Sequence, residues 1–283
     1  MSATLAQFSG LPKQIRFRPT TVYVDPERVA RYQHVVGLDL GDVPRAAVPP
    51  SYLYTIYLSQ PDFLERYLEY GIDAQTAIHA SQRFDYPGSL EPGQTLTLTS
   101  SVKKIIAKPG ASNFIVSEET VAKDEHGASA FVSTATFAFR ASAEPLDVEP
   151  QPARPYSGTP DFPEILVPPV DAGRLRAFAE VSLDSNPIHL DVEAARAQGF
   201  RKPVVHGMLV MAFLAEACFA WVPGGRFERF TIRFVASTPE DDRLRLVGRE
   251  RKRDPETGAV TLEVAALGMD GDIRATADVR LRV

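Results

Sequence analysis

An aspartate and a histidine stand five residues apart, Asp184 and His189, in the segment SLDSNPIHLDVEAARAQGF, with Asn186-Pro187 between them. Proline lacks a backbone donor and disfavours helix in the residue before it, so this pair is presented from a rigid turn. Asn186 can tie that turn down through side chain–backbone hydrogen bonds. A carboxylate and a neutral imidazole beside one water provide acid and base at neutral pH. Further along, in KPVVHGMLVMA, His206-Gly207 opens a long apolar segment. A helix N-terminus offers unpaired N–H groups and a positive dipole end, which suits a developing oxyanion. Glycine at that position lets a carbonyl approach the backbone closely. Singly, Asp184 reads as a turn aspartate and His189 as a structural histidine; jointly, with Asn186-Pro187 and His206-Gly207, they read as a site.

Other polar residues near it read more plainly. His206 is expected to be structural, positioning the loop or capping the helix. No tight ligand spacing links Asp184, His189 and His206, so no metal is expected. Glu216, a carboxylate inside the apolar segment, is either at its rim, paired, or functional. Cys218, Met208 and Met211 read as core.

The elements that must carry these residues repeat. VDPERVARYQHVVGLD (24–39) and VDAGRLRAFAEVSLDS (170–185) both open with Val-Asp and place apolar residues at helical spacing: Val29, Tyr32 and Val36 in one, Leu175, Phe178 and Val181-Ser182 in the other. Asp25 and Asp171 are candidate N-caps, and Pro26 suits a first helical position. A longer apolar helix is expected after each, over roughly 51–70 with an interruption near Pro61, and over 207–222. Alternating strand-like runs follow at 79–87, 94–106, 113–124 and 129–140, and again at 226–237, 243–253, 259–267 and 273–283, separated by Gly-containing turns. Eight prolines between Pro145 and Pro169 predict an extended connector without regular structure. The expected division is 1–144, a linker at 145–169, and 170–283. Each half is a short helix, a long apolar helix and an antiparallel meander, so the fold class is α+β, duplicated.

Composition fits this. The 283 residues are 44% hydrophobic and 24% charged, enough to bury a sizeable core. A net charge of −5 lacks the basic excess that nucleic acid requires. The single cysteine, Cys218, cannot form an intrachain disulfide, the N-terminus shows no signal-like apolar run, and 204–222 reads as a buried core helix rather than a membrane span. A soluble cytoplasmic protein is expected.

DSNPIHLD followed by VVHGM resembles the MaoC-like dehydratases, or hydratase 2, of the hotdog superfamily, whose pattern is roughly a small residue, Gly, Asp, any residue, Asn-Pro, an aliphatic and His. HASQRFDYPGSLEPGQTL in the first half is similar to the N-terminal unit of double-hotdog members. The resemblance implies two fused hotdog units, each a long central helix wrapped by a curved antiparallel sheet, with one active site, in the C-terminal unit. It implies that Asp184 and His189 activate a water that adds to a trans-2-enoyl thioester, giving an (R)-3-hydroxyacyl thioester, or the reverse, as in fatty acid metabolism. Gly207 would bind the thioester oxygen, with Asn186 and His206 in support, and without metal or cofactor. The partner implied is an acyl-CoA or acyl carrier protein thioester, and the chain would act as a monomer of two units or a homodimer. A hotdog thioesterase using Glu216, or a non-catalytic acyl-thioester-binding subunit, are the alternatives. Arg249, Arg251, Lys252 and Arg253 could meet the phosphates of coenzyme A, although a solvated hairpin end explains them better. This sequence departs from the pattern at Leu183, where the family has Gly; a leucine there is expected to narrow the pocket or shift the turn.

Sliding the halves by 146 positions places Leu38, Leu40 and Val43 opposite Asp184, Asn186 and His189. None of the three can transfer a proton, so the N-terminal half is expected to be non-catalytic and to shape the acyl pocket.

Overall fold

A computed structural model describes residues 15–41, 45–60, 67, 77–107, 113–140 and 155–283. The architecture is α+β. Among the described residues, eleven strands form one antiparallel sheet in the order β1-β4-β5-β6-β3-β8-β11-β10-β9-β7, with β2 paired to β4 off this path. The eight long strands are those read from alternation: β3 Ile78–Asp85, β4 Thr95–Ala107, β5 Asn113–Lys123, β6 Ser129–Arg140, β8 Arg226–Phe234, β9 Leu244–Arg253, β10 Ala259–Gly268 and β11 Ile273–Arg282. Each half contributes four, not as the simple meander expected: three consecutive strands (β4-β5-β6 and β9-β10-β11) form a meander, and the first strand of the half crosses over to pair with the last (β3 with β6, β8 with β11). β3 joins β8 antiparallel at the centre, from Ser81↔Arg233 to Asp85↔Arg229. Two of the short strands, β1 Ile15–Arg16 and β2 Thr20–Tyr23, extend one edge.

β7, Ile165–Val167, pairs with β9 and lies inside the stretch expected to lack regular structure. That expectation is corrected here. Proline is tolerated at a sheet edge, and this edge is pinned by side chains. Phe162 stacks on Trp221 at 5.4 Å, the Trp221 indole N–H donates to the Pro163 carbonyl, and Glu164 pairs with Arg245 at 2.6 Å.

The duplicated helices are α1, Pro26–Val36, and α3, Ala172–Ser182. Asp25 caps α1 through the N–H groups of Glu27 and Arg28, and Asp171 caps α3 through that of Arg174. They pack against each other. Tyr32 and Phe178, equivalent under the 146-residue shift, touch at 5.6 Å. The equivalent arginines reach across reciprocally: Arg28 donates to the Glu180 carbonyl, and Arg174 to those of Val35 and Gly37. Each fills acceptors that its neighbour's helix end leaves open.

In the second half the central helix is α5, Gly207–Trp221, with twelve consecutive buried residues from Met208 to Phe219, Cys218 among them. A helix apolar on every face must be enclosed, and β8–β11 enclose it. No described helix is long and apolar enough to cross a membrane. In the first half a 3₁₀ turn at Pro50–Tyr52 leads into α2, Leu53–Leu58; the expected continuation past Pro61 lies largely outside the described residues. A further described helix, α4, Val192–Ala197, follows the Asp184–His189 turn.

Candidate active site

The turn carrying Asp184 is shaped by its own backbone. Helix α3 ends at Leu183, which takes a left-handed φ of 64°. That conformation reverses the chain after a helix and favours glycine, because a Cβ there costs about 1–2 kcal/mol. The glycine of the MaoC-like pattern is thus a backbone requirement, met here by leucine under strain. Leu183 is 37% exposed, and its departure from the pattern carries a conformational cost. Beyond it the Asp184 N–H lies 3.3 Å from Ser182 Oγ, and the Asn186 N–H 3.4 Å from Asp184 Oδ1. Asn186 Oδ1 accepts from the Ile188 N–H at 3.2 Å, opening a 3₁₀ turn at Pro187–His189.

Backbone carbonyls fix both histidine tautomers. His189, 8% exposed, has Nδ1 2.7 Å from the Val204 carbonyl. A carbonyl can only accept, so Nδ1 carries the proton and Nε2 presents a lone pair. His206 is fully buried with Nε2 3.0 Å from the Asp184 carbonyl, so here Nε2 is protonated and Nδ1 bears the lone pair, sealed and without a partner. Burial first, and then neighbouring His189, hold the His206 pKa well below its ordinary value. His206 is the N-cap residue of α5, but its side chain makes no capping bond. Of the two structural roles expected for it, positioning the loop is the one observed.

Folding brings together what sequence spacing does not. Asp184, His189 and His206 each offer a ligand-type atom, all within 4.8 Å of one another. The set is chemically adequate for a cation, but its geometry is not. The two imidazoles stack at 3.8 Å and 25°, and lone pairs lie in the ring planes. Two nearly parallel planes that far apart do not share an ion sitting about 2.0–2.1 Å from each nitrogen. A carboxylate with the Nε2 lone pair of His189 suits a water instead, both groups accepting its protons.

Gly207 begins α5, and its N–H has no acceptor among the described residues. A Cβ on it would lie 2.9 Å from Phe234 Cε1, so the ring of β8 admits only glycine. The first half supplies two neighbours that sequence reasoning missed, Tyr54 of α2 and His79 of β3. Burial dominates the pKa of both, and the charge of Asp184 is the next influence on each. A lone histidine in an alternating strand gave no signal of this.

Beside His189 opens a cleft of about 770 Å³ with Arg176, Arg196, Arg201 and Lys202 on its walls. Arg196 pairs with Glu193 and Lys202 with Asp241. Arg176 and Arg201 have no ion-pair partner among the described residues. The arginines at 249–253 are paired instead: Arg249 and Arg251 share Glu263, and Arg253 pairs with Glu250. Glu216, 6% exposed, is held by Arg45 at 2.7 Å; burial raises its pKa while Arg45 opposes the rise.

The MaoC like domain matches residues 153–266, and the FAS1-like dehydratase domain region matches residues 18–131. A mitochondrial 3-hydroxyacyl-[acyl-carrier-protein] dehydratase of Arabidopsis thaliana is 42% identical over 60 residues, 21% of this chain and 36% of its own. An (R)-specific enoyl-CoA hydratase of Aeromonas caviae is 40% identical over 53 residues, 19% of this chain and 40% of its own. The matched segments thus span well under half of these curated relatives. Among solved structures, a MaoC-like dehydratase superposes with a TM-score of 0.76 at 18% identity, covering 95% of this chain and 97% of the other. A conserved hypothetical Mycobacterium tuberculosis protein with a double hotdog fold gives 0.66 at 15%, covering 97% of each. The chain carries a MaoC-like dehydratase domain behind a FAS1-like dehydratase region, in a double hotdog fold.

Proposed function

We propose that this protein is a hydro-lyase acting on trans-2-enoyl thioesters, giving (R)-3-hydroxyacyl thioesters, or catalysing the reverse dehydration. The observation that carries this reading is the Asp184 carboxylate beside the His189 Nε2 lone pair, at the mouth of the α5 N-terminus. Two acceptors around one water take both of its hydrogens and leave an oxygen lone pair directed at Cβ. As the C–O bond forms, one acceptor takes a proton and the pair returns one to Cα. The thioester oxygen gains charge meanwhile, and the free Gly207 N–H and the dipole of α5 stabilise it. The (R) outcome is supported by the name of the Aeromonas relative.

On this reading the C-terminal unit is catalytic and the N-terminal unit shapes the acyl pocket, since Leu38 and Leu40 stand opposite Asp184 and Asn186. Val43, opposite His189, lies outside the described residues. The carrier is CoA or acyl carrier protein, and its phosphates fit Arg176 and Arg201 better than the paired arginines at 249–253. The test is hydration of crotonyl-CoA, followed as loss of the enoyl thioester absorbance. Asp184→Asn and His189→Gln should each lower turnover by about 10²–10⁴-fold while leaving the fold intact. An (S)-specific dehydrogenase should fail to oxidise the product. Near-normal turnover in either variant removes that residue from the mechanism, and release of free thiol instead of hydration points to a thioesterase.

A further inference from the structure

The first unit lacks the catalytic pair but keeps a space where one would act. A cavity of about 300 Å³ opens beside Pro50 and Leu53, at the start of its helical segment, and beside residues 45–48 just before. Pro50-Ser51 takes the place that His206-Gly207 has in the second unit, and Leu38 and Leu40 upstream stand opposite Asp184 and Asn186. The second unit closes the cavity with Phe219 of α5 and Phe227 of β8. The catalytic site is built the same way with the units exchanged: Gly207 abuts Phe234, and His79 of β3 lies 5.2 Å from that ring.

Among the described residues, no carboxylate–imidazole pair lines this cavity. Pro50 has no N–H to offer an oxyanion. The Leu38 carbonyl, counterpart of the Asp184 carbonyl that His206 holds, accepts from Arg45 at 3.2 Å. Arg45 also grips Glu216 at 2.7 Å, so that carboxylate is committed to an ion pair. What remains is the capacity to bind. Val48, Leu53, Phe131, Phe219 and Phe227 are buried apolar side chains on the walls. Arg226, also on the wall, is exposed and has no ion-pair partner among the described residues. Three successive wall residues, Gly88, Ser89 and Leu90, have N–H groups with no acceptor among the described residues. Glu91 completes that wall and pairs with neither arginine. A free guanidinium and free backbone N–H groups around one space receive an anion. A dry cavity of about 150 Å³ takes one benzene, so twice that volume holds roughly eight to ten carbon atoms.

We propose that this cavity is a second, non-catalytic ligand site, and that it takes a fatty carboxylate of medium chain length. The chain lies against Phe131, Phe219 and Phe227, and the carboxylate meets Arg226. Among the described residues lining the cavity, Arg226 is the cation that no acidic side chain satisfies, since Arg45 belongs to Glu216. A neutral head group leaves that guanidinium unpaired, and an ammonium is repelled by it. Burial of the chain drives binding, and the arginine selects the head group. Neither Asp184 nor His189 lines this cavity, so the site stands apart from the hydratase reading.

Titration calorimetry of the whole chain with sodium octanoate is the test, with 1-octanol as the uncharged comparison. One octanoate per chain should bind with a dissociation constant of about 0.1 mM, within what ten or so non-hydrogen atoms sustain. 1-Octanol should bind about tenfold more weakly. Arg226→Glu should weaken octanoate by about tenfold or more and leave 1-octanol within about twofold. Leu90→Trp, which fills the space from its wall, should abolish binding of both; Ser89→Trp takes its place if that variant does not fold. The proposal is overturned by the absence of saturable octanoate binding up to about 5 mM. Equal affinities for octanoate and 1-octanol overturn it too, as does octanoate binding that is unchanged in either folded variant.

Discussion

His206→Phe removes one hydrogen bond and keeps a flat ring against His189 and Phe178, whose centroids lie 3.8 and 4.9 Å from that of His206. The bond lost is the one from Nε2 to the Asp184 carbonyl, worth about 0.5–1.5 kcal/mol net. The sealed, unpartnered Nδ1 disappears at the same time, and that orphan costs about 1–3 kcal/mol. The two nearly offset, so stability should stay within about 1.5 kcal/mol, a shift of no more than about 6 °C in Tm for a chain of this size. Activity should respond differently. The freed carbonyl belongs to Asp184 itself, so the carboxylate loses a tether, and a misplacement of about 1 Å can cost on the order of 10²-fold. The expected result is a kcat about 10–100-fold lower with little change in KM. Because His206 is held neutral, the shape of the pH–rate profile should be unchanged. Crotonyl-CoA hydration from pH 5 to 9, with thermal unfolding in parallel, measures all of this. Full kcat in a folded variant refutes the positioning role, and loss of one limb of the profile shows that His206 titrates during turnover.

Titration with a tight, non-reacting acyl-CoA analogue should give one site per chain; two equivalent sites would overturn the division of labour between the units. Arg176→Glu with Arg201→Glu should raise KM for a CoA thioester by about tenfold at low salt, with kcat within about twofold, as expected for contacts that bind ground and transition states alike. An unmoved KM would clear both arginines. Acid should destabilise the fold between pH 6.5 and 4. The folded-state pKa of His79 is lowered to about 4 and that of His206 is also lowered, so the unfolded chain binds protons in this window that the folded one refuses. Stability is fully present above the unfolded value of about 6.5 and falls with pH by up to about 1.4 kcal/mol per unit per group. Denaturation midpoints at stepped pH should show this slope, reduced in His206→Phe; an undiminished slope would mean that His206 titrates normally when folded.

Most of the architecture was legible because long strands and capped helices announce themselves by period. The eight long strands, the caps at Asp25 and Asp171 and the twelve-residue buried run of α5 all follow from alternation, side-chain type and apolar length. What escaped was short or non-local. β1, β2 and β7, with two to four residues each, fall below any periodic signal, and β7 sits among prolines that argue against it. At the site, Asp184, Asn186 and His189 are close in sequence and were readable as one turn. His79 reaches the same place because β3 pairs with β8, a contact spanning about 150 residues, and Tyr54 of α2 stacks on its ring. Such contacts depend on strand pairing and ring packing, which residue spacing does not encode.

Leu183 shows how a sequence departure and its physical meaning can separate. As a change of residue type in a site motif, it suggested a narrower pocket or a shifted turn. As a backbone position it is the left-handed C-cap of α3, where the side chain is 37% exposed and the cost is conformational. The consequence is a substitution that should stabilise. Leu183→Gly relieves about 1–2 kcal/mol of left-handed strain and adds about 0.5–1 kcal/mol of unfolded-state entropy. Little buried apolar surface is lost from so exposed a side chain. The net expectation is a gain of about 0.5–1 kcal/mol, with hydration activity kept, because Asp184 stays tied through its own carbonyl to His206. Chemical denaturation of the two proteins at one pH decides it. A destabilised variant would mean that contacts of the leucine outweigh its strain. A stable variant with altered chain-length preference would restore the idea that this residue reaches the substrate.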